Sequence, residues 1–238
     1  MHLLLRLPLL AGLLLMATVT PLRSQTDSAV APASGLSSQG KHPDKPYVTA
    51  GDRAYLIGTQ DGRFPDMGDH LPGEMAGGWL HPIKLIDGFR ASLTDSATGR
   101  RAILSASTDF VTYPYGNRLR YGAALDSLEV ERFEFSPDGR EGLIVQYQIR
   151  NTGGRRRTLD FELAVKTDLR PVWFSDSLGI TDAPDTAGWD PESRIFVARD
   201  TGHPWFCVWG ATPEAGAEPV TNPDSIETQG SGVTTAAR

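Results

Sequence analysis

The sequence predicts an all-β protein, built of antiparallel sheets packed as a sandwich. Three observations carry this. Residues 143–150 and 159–166 alternate apolar and mostly polar side chains with a period of two, as strands with one buried face require. Turn signals separate such runs: Ser136-Pro-Asp-Gly139 and Asn151-Thr-Gly-Gly154. No segment carries a long apolar stripe at helical spacing.

In chain order, residues 1–24 have the pattern of an export signal: Arg6, an apolar run over 7–19, then the break Thr20-Pro-Leu-Arg-Ser24. The run is short for a membrane span, which needs about 20 residues. Gln25 is the expected first mature residue, and the expected location is periplasmic or secreted. No membrane contact is expected after signal removal. Residues 25–46, rich in Ser, Ala, Gly and Pro, read as a flexible leader, with the sandwich expected over 47–238.

A short strand is expected at 53–58. Residues 55–89 are then crowded with glycine and proline and read mostly as a long irregular loop, with a short strand at 82–86. Further strands are expected at 109–112, 118–121, 194–199 and 205–209. Residues 125–135, 143–150 and 159–166 read as three consecutive antiparallel strands. In the first of these the apolar phase slips between Val130 and Phe133, which implies a bulge or two buried faces. The tail from Thr212 is polar, and Gly232-Val-Thr-Thr-Ala-Ala-Arg238 reads as the opening of an unfinished strand, which suggests a truncated chain, with a frayed natural terminus as the alternative.

Composition narrows the function classes. The net charge is −6, and without Arg6 and Arg23 of the signal the balance is more acidic still, which argues against a nucleic-acid partner. Cys207 is the single cysteine, so no intrachain disulfide forms; within Trp205-Phe-Cys-Val-Trp209 it reads as a small buried hydrophobe. No Gly-Lys-Ser or Gly-Lys-Thr phosphate loop and no Gly-x-Ser-x-Gly nucleophile turn occurs.

The chemistry concentrates in the glycine-rich segment, a setting more often functional than merely connecting. It holds Asp61, Asp66, Asp69, Glu74, His70, His81 and Trp79. Glycoside hydrolysis needs two carboxyl groups flanking the bond. Asp61 and Asp69, beside glycine, read as turn formers that bond their own backbone. Asp66 and Glu74 are the better candidates for a substrate rim. His70 and His81 lack the tight spacing of structural zinc ligands, and no metal or cofactor is assigned. Trp79 is the best placed aromatic for a sugar face. Lys84 and Asp87 are spaced to form an ion pair that pins the loop, and Arg170 to reach Asp168 or a partner domain.

Ile57-Gly-Thr-Gln-Asp-Gly62, Phe64-Pro-Asp-Met-Gly68, Pro72-Gly-Glu-Met75, His81-Pro-Ile-Lys84 with Asp87-Gly88, and Thr167-Asp-Leu-Arg-Pro-Val-Trp173 together resemble the N-terminal region of bacterial glycogen-debranching-type proteins. These amylo-α-1,6-glucosidase-like enzymes are six-hairpin glycosidases. The resemblance implies a β-supersandwich that precedes a catalytic (α/α)6 toroid, which is absent from this chain and would hold the acid and base. It implies an α-glucan or oligosaccharide substrate. It also implies that Asp66, Glu74, Trp79, His81, Lys84 and Asp87 lie at the active-site rim or the domain interface, with no catalytic residue here. The alternative is a free-standing carbohydrate-binding or adhesion module, using exposed aromatics such as Trp79 and Trp189.

Overall fold

The computed structural model describes residues 35–69, 71–122, 124–171, 175–212, 226–229 and 232–237. The expected signal, residues 25–34 of the leader and His70 lie outside the described residues.

The strands, in chain order, are β1 (Leu36–Ser37), β2 (Pro46–Ala50), β3 (Tyr55–Thr59), β4 (Gly77–Leu80), β5 (Ile83–Asp95), β6 (Arg101–Ile103), β7 (Asp109–Tyr113) and β8 (Gly116–Tyr121). They continue with β9 (Leu128–Phe135), β10 (Ile144–Asn151), β11 (Leu159–Pro171), β12 (Asp185–Asp190), β13 (Ile195–Asp200), β14 (Phe206–Trp209), β15 (Ile226–Gln229) and β16 (Gly232–Ala237). One helical turn, Ser175–Leu178, is the sole helix among the described residues. No described helix is long and apolar enough to cross a membrane.

The strands form three antiparallel sheets. The first runs β1-β7-β8-β9-β10, and the second β15-β16-β11-β5-β4-β3-β2 with β6 also on β5; the third is β12-β13-β14. The core lies between the first two. Tyr47, Ala91 and Leu93 of the second sheet meet Phe110, Leu119, Tyr121, Leu128 and Val130 of the first. Leu93 and Leu119 are fully shielded from solvent, each contributing about 1.5–3 kcal/mol relative to an exposed position. The all-β antiparallel sandwich is therefore the architecture of the described residues.

Several local expectations need correction. The leader is not wholly outside the fold: Leu36 and Ser37 pair with Thr112 and Val111 of β7. They satisfy backbone groups along that sheet edge. The second correction concerns the three consecutive strands. β9 and β10 form a hairpin, but β11 pairs with β5, so Asn151-Thr-Gly-Gly154 carries the chain from one sheet to the other. The irregular stretch is also shorter than expected. Only residues 60–76 form the loop, because Gly77 and Gly78 open β4, which pairs with both β3 and β5. A Cβ on Gly77 would lie 2.0 Å from the Ile86 carbonyl oxygen. Glycine is what lets these backbones approach.

The phase slip in β9 has a different cause from a bulge. Its pairing with β10 is unbroken from Leu128 to Phe135. The strand keeps its period of two and buries Arg132 and Glu134 on the core face. Phe133 and Phe135 point to the other face, where Phe133 packs against Phe135, Tyr113 and Tyr115.

Candidate functional site

The loop at residues 60–76 is tied down at its root and at its crown. At the root, Asp61 makes a turn: Thr59 Oγ1 and the Arg63 backbone N–H donate to Asp61 Oδ1 at 2.7 and 3.0 Å. This is the turn-forming role expected of it. Burial pushes the Asp61 carboxyl up, but hydrogen bonds from Arg63 and Thr59 outweigh burial and hold it below the usual range. Gly62 follows at φ +94°, where a side chain would collide with the Tyr121 hydroxyl. From the facing sheet, Arg132 Nη1 donates to the Gly62 carbonyl at 3.0 Å.

At the crown the loop has a small core of its own. Leu71 and Trp79 are buried together, with Tyr55 and Met75 against them. Trp79 is 1% exposed, and its ring lies parallel to Tyr55 with centroids 6.1 Å apart. Its indole N–H donates to the Met75 carbonyl at 3.2 Å. Trp79 is thus a packing residue, not an exposed sugar platform, because closing the loop needs an apolar body at this place.

Met75 is followed back by Glu74, whose carboxylate is delivered to Lys84 on β5. Lys84 is 2% exposed, with its Nζ 2.9 Å from Glu74 Oε2 and 2.5 Å from Asp87 Oδ1. The expected Lys84–Asp87 ion pair is present. The ammonium lies 5.9 Å from the Trp79 ring centroid, within cation–π range. Lys84 is therefore a buried organiser and not itself a surface contact.

β11 completes the cluster. Its pairing with β5 is irregular between Lys166 and Arg170, which faces Lys84. Such an irregularity re-aims side chains. Lys166 Nζ reaches Asp87 Oδ2 at 2.5 Å, and Arg170 Nη1 reaches Glu74 Oε1 at 3.2 Å. Asp168, 5% exposed, places a carboxylate oxygen within 4.8 Å of those of Glu74 and Asp87.

Three carboxylates and three cations thus share one end of the sheet. Burial pushes the Asp87 carboxyl up, but Lys84 and Lys166 overcome this and hold it below the usual range. Asp87 therefore stays ionised near neutral pH and is a poor proton donor, whereas a glycosidase acid needs a raised pKa. The three carboxylates have the chemistry of a cation site, yet the Lys84 ammonium already bridges two of them, and a divalent ion would have to displace it. What the cluster offers outward is a row of donors and acceptors: the side chains of Glu74, Asp87, Lys166 and Arg170 are 35, 20, 40 and 28% exposed.

Of the six residues singled out in the sequence, Glu74, Trp79, Lys84 and Asp87 come together. Asp66 is exposed in the loop and His81 is exposed in the turn between β4 and β5. Lys166 was not anticipated as a member. Its signal was the run Lys166–Arg170, where charges interrupt a strand that had been alternating cleanly. Arg132 was hidden by the aromatic residue beside it.

No family model matches the chain, and no curated protein matches it in sequence.

Proposed function

We propose that this chain is the sheet-built N-terminal part of an exported glycoside hydrolase resembling glycogen-debranching enzymes. Residues 60–76 and the charged cluster form the rim of the active site or the face that meets a helical catalytic domain. The acid and base come from that domain, and this chain alone does not cleave glycosidic bonds. The observation that supports the reading is the closed loop. It brings Glu74 to Asp87, Lys166 and Arg170 as a half-exposed edge of fixed hydrogen-bonding groups, suited to sugar hydroxyls or to a charged protein face. The test compares this chain with a protein extended through the reading frame beyond Arg238. This chain is expected to release no glucose from glycogen or isomaltose. The extended protein is expected to release it, and to lose most of that activity in Asp87→Asn. Glucose release by this chain alone sinks the proposal.

One observation favours the free-standing carbohydrate-binding alternative. The third sheet carries a shallow groove of about 310 Å³, lined by Thr186, Gly188, Asp190, Val197 and Arg199 and by Trp189, whose ring packs against buried Phe196. Gly188 has open space where a Cβ would stand, so Gly188→Leu fills the groove without disturbing the fold. Loss of retention on a glycogen-containing gel in Gly188→Leu supports this second reading; unchanged retention removes it.

A further inference from the structure

Asp185 opens β12 directly opposite Asp200, the last residue of β13. Both side chains are buried, at 4 and 5% exposure. One oxygen of each is used. Asp185 Oδ2 accepts the Leu169 backbone N–H of β11 at 2.9 Å. Asp200 Oδ1 accepts the backbone N–H groups of Gly202 and His203 at 2.7 and 2.6 Å and faces His203 Nδ1 at 2.9 Å. The other oxygens, Asp185 Oδ1 and Asp200 Oδ2, are buried without a hydrogen-bond partner.

Directly opposed residues of an antiparallel pair have Cβ atoms about 4.5–5.5 Å apart, so two carboxyl groups there reach each other. If both were ionised, each would carry an unsatisfied buried oxygen beside a like charge. One proton makes one oxygen a donor to the other and satisfies both. We propose that Asp185 and Asp200 hold a single proton between them below neutral pH, and that this acid–carboxylate pair is a pH-sensitive latch fastening the third sheet to β11.

The surroundings favour retention of that proton. Burial first, and then Asp168, Asp200 and Asp182, push the Asp185 carboxyl up, against the opposing Leu169 hydrogen bond, to about 7. β11 brings Asp168, with Lys166 and Arg170 engaged by Asp87 and Glu74. The segment before β12 brings Asp182, β13 brings Asp200, and the turn after it brings His203. β14 brings Cys207, whose thiol is pushed up to about 11 by burial and then by Asp185. β16, which packs against β12, has no ionisable side chain in its sequence. Losing the proton leaves two facing charges at the Leu169 contact, one residue from both Asp168 and Arg170 of the ion cluster.

The test is a carboxyl 13C titration of the whole chain, with thermal melts of the native protein and Asp185→Asn. Asparagine still accepts from Leu169 and offers an N–H to Asp200, so it stands in for the protonated pair. One carboxyl signal of the pair is expected to titrate in the acid range and one near neutrality. Native Tm is expected to fall between about pH 5 and about pH 8, a slope that Asp185→Asn loses. Titration of both carboxyls below about pH 5 overturns the proposal. So does a native slope kept in a folded Asp185→Asn. Movement of both signals on adding Ca²⁺ at neutral pH means that the pair holds a metal ion, which also overturns it.

Discussion

Arg132 and Lys84 are both buried cations, yet they are held differently. Arg132 and its carboxylate partner Glu134 are each 1% exposed, with Nε and Oε2 3.4 Å apart. Arg132 also donates to Gly62 O and to the Tyr47 hydroxyl, and it lies over the Phe89 and Phe64 rings at 5.1 and 5.8 Å. Burial pushes the Tyr47 hydroxyl up, so it stays neutral beside the guanidinium. Its polar partners Gly62, Tyr47 and Glu134 are all buried, and only the two phenylalanines are partly exposed. Lys84 is as deeply buried, but Glu74 and Asp87 around it reach the surface. A sealed pair joins two sheets and fixes the root of the loop. A buried cation with half-exposed anions holds those anions in place for something outside.

The comparison breaks first at Arg132. Arg132→Leu leaves Glu134 charged and uncompensated in the interior, which is expected to cost about 3–5 kcal/mol in urea unfolding. Adding Glu134→Leu is expected to recover much of that loss, since an apolar pair of similar volume is often tolerated there. If the double variant is no better than the single one, the sealed ion pair is not what the first substitution disturbs.

Lys84→Met is expected to cost less, about 1–3 kcal/mol, because Glu74 and Asp87 retain Arg170, Lys166 and water as partners. Its distinguishing readout is amide exchange: residues 71–76 are expected to lose protection while the Gly62 root keeps it.

The smallest effect is on the acid limb. The Asp87 pKa is depressed, so its contribution is present above the unfolded value and is lost as pH falls through the folded one. Lys84→Met removes the main favourable charge. The midpoint of acid unfolding is therefore expected to move to higher pH. An unmoved midpoint in pH-dependent circular dichroism would show that Lys166 alone keeps Asp87 ionised.

How much of this could be read from the chain varies with the residue. Alternation in residues 143–150 and 159–166 located β10 and the first part of β11, because a half-buried strand writes its burial into every second position. Asp61 was legible as a turn former, since its partners are its near neighbours in sequence. Lys84 and Asp87 were legible as a pair for the same reason. Arg132 was not, because Phe133 and Phe135 imitated a buried face. The strand's phase was settled by Gly62, Tyr47 and Glu134, one of which is a neighbour and two of which belong to distant segments.

Local order thus set the sheet class, the turns and the short-range ion pair, which depend on side-chain period and on groups only a few bonds apart. The gathering of Glu74, Lys84, Asp87, Asp168 and Arg170, and the meeting of Asp185 with Asp200, depended on which strands became neighbours. β11 chose β5 over β10, and no stretch of chain records that choice locally. Burial, which pushes the Asp185 carboxyl up, exists only once the sheets have closed on one another.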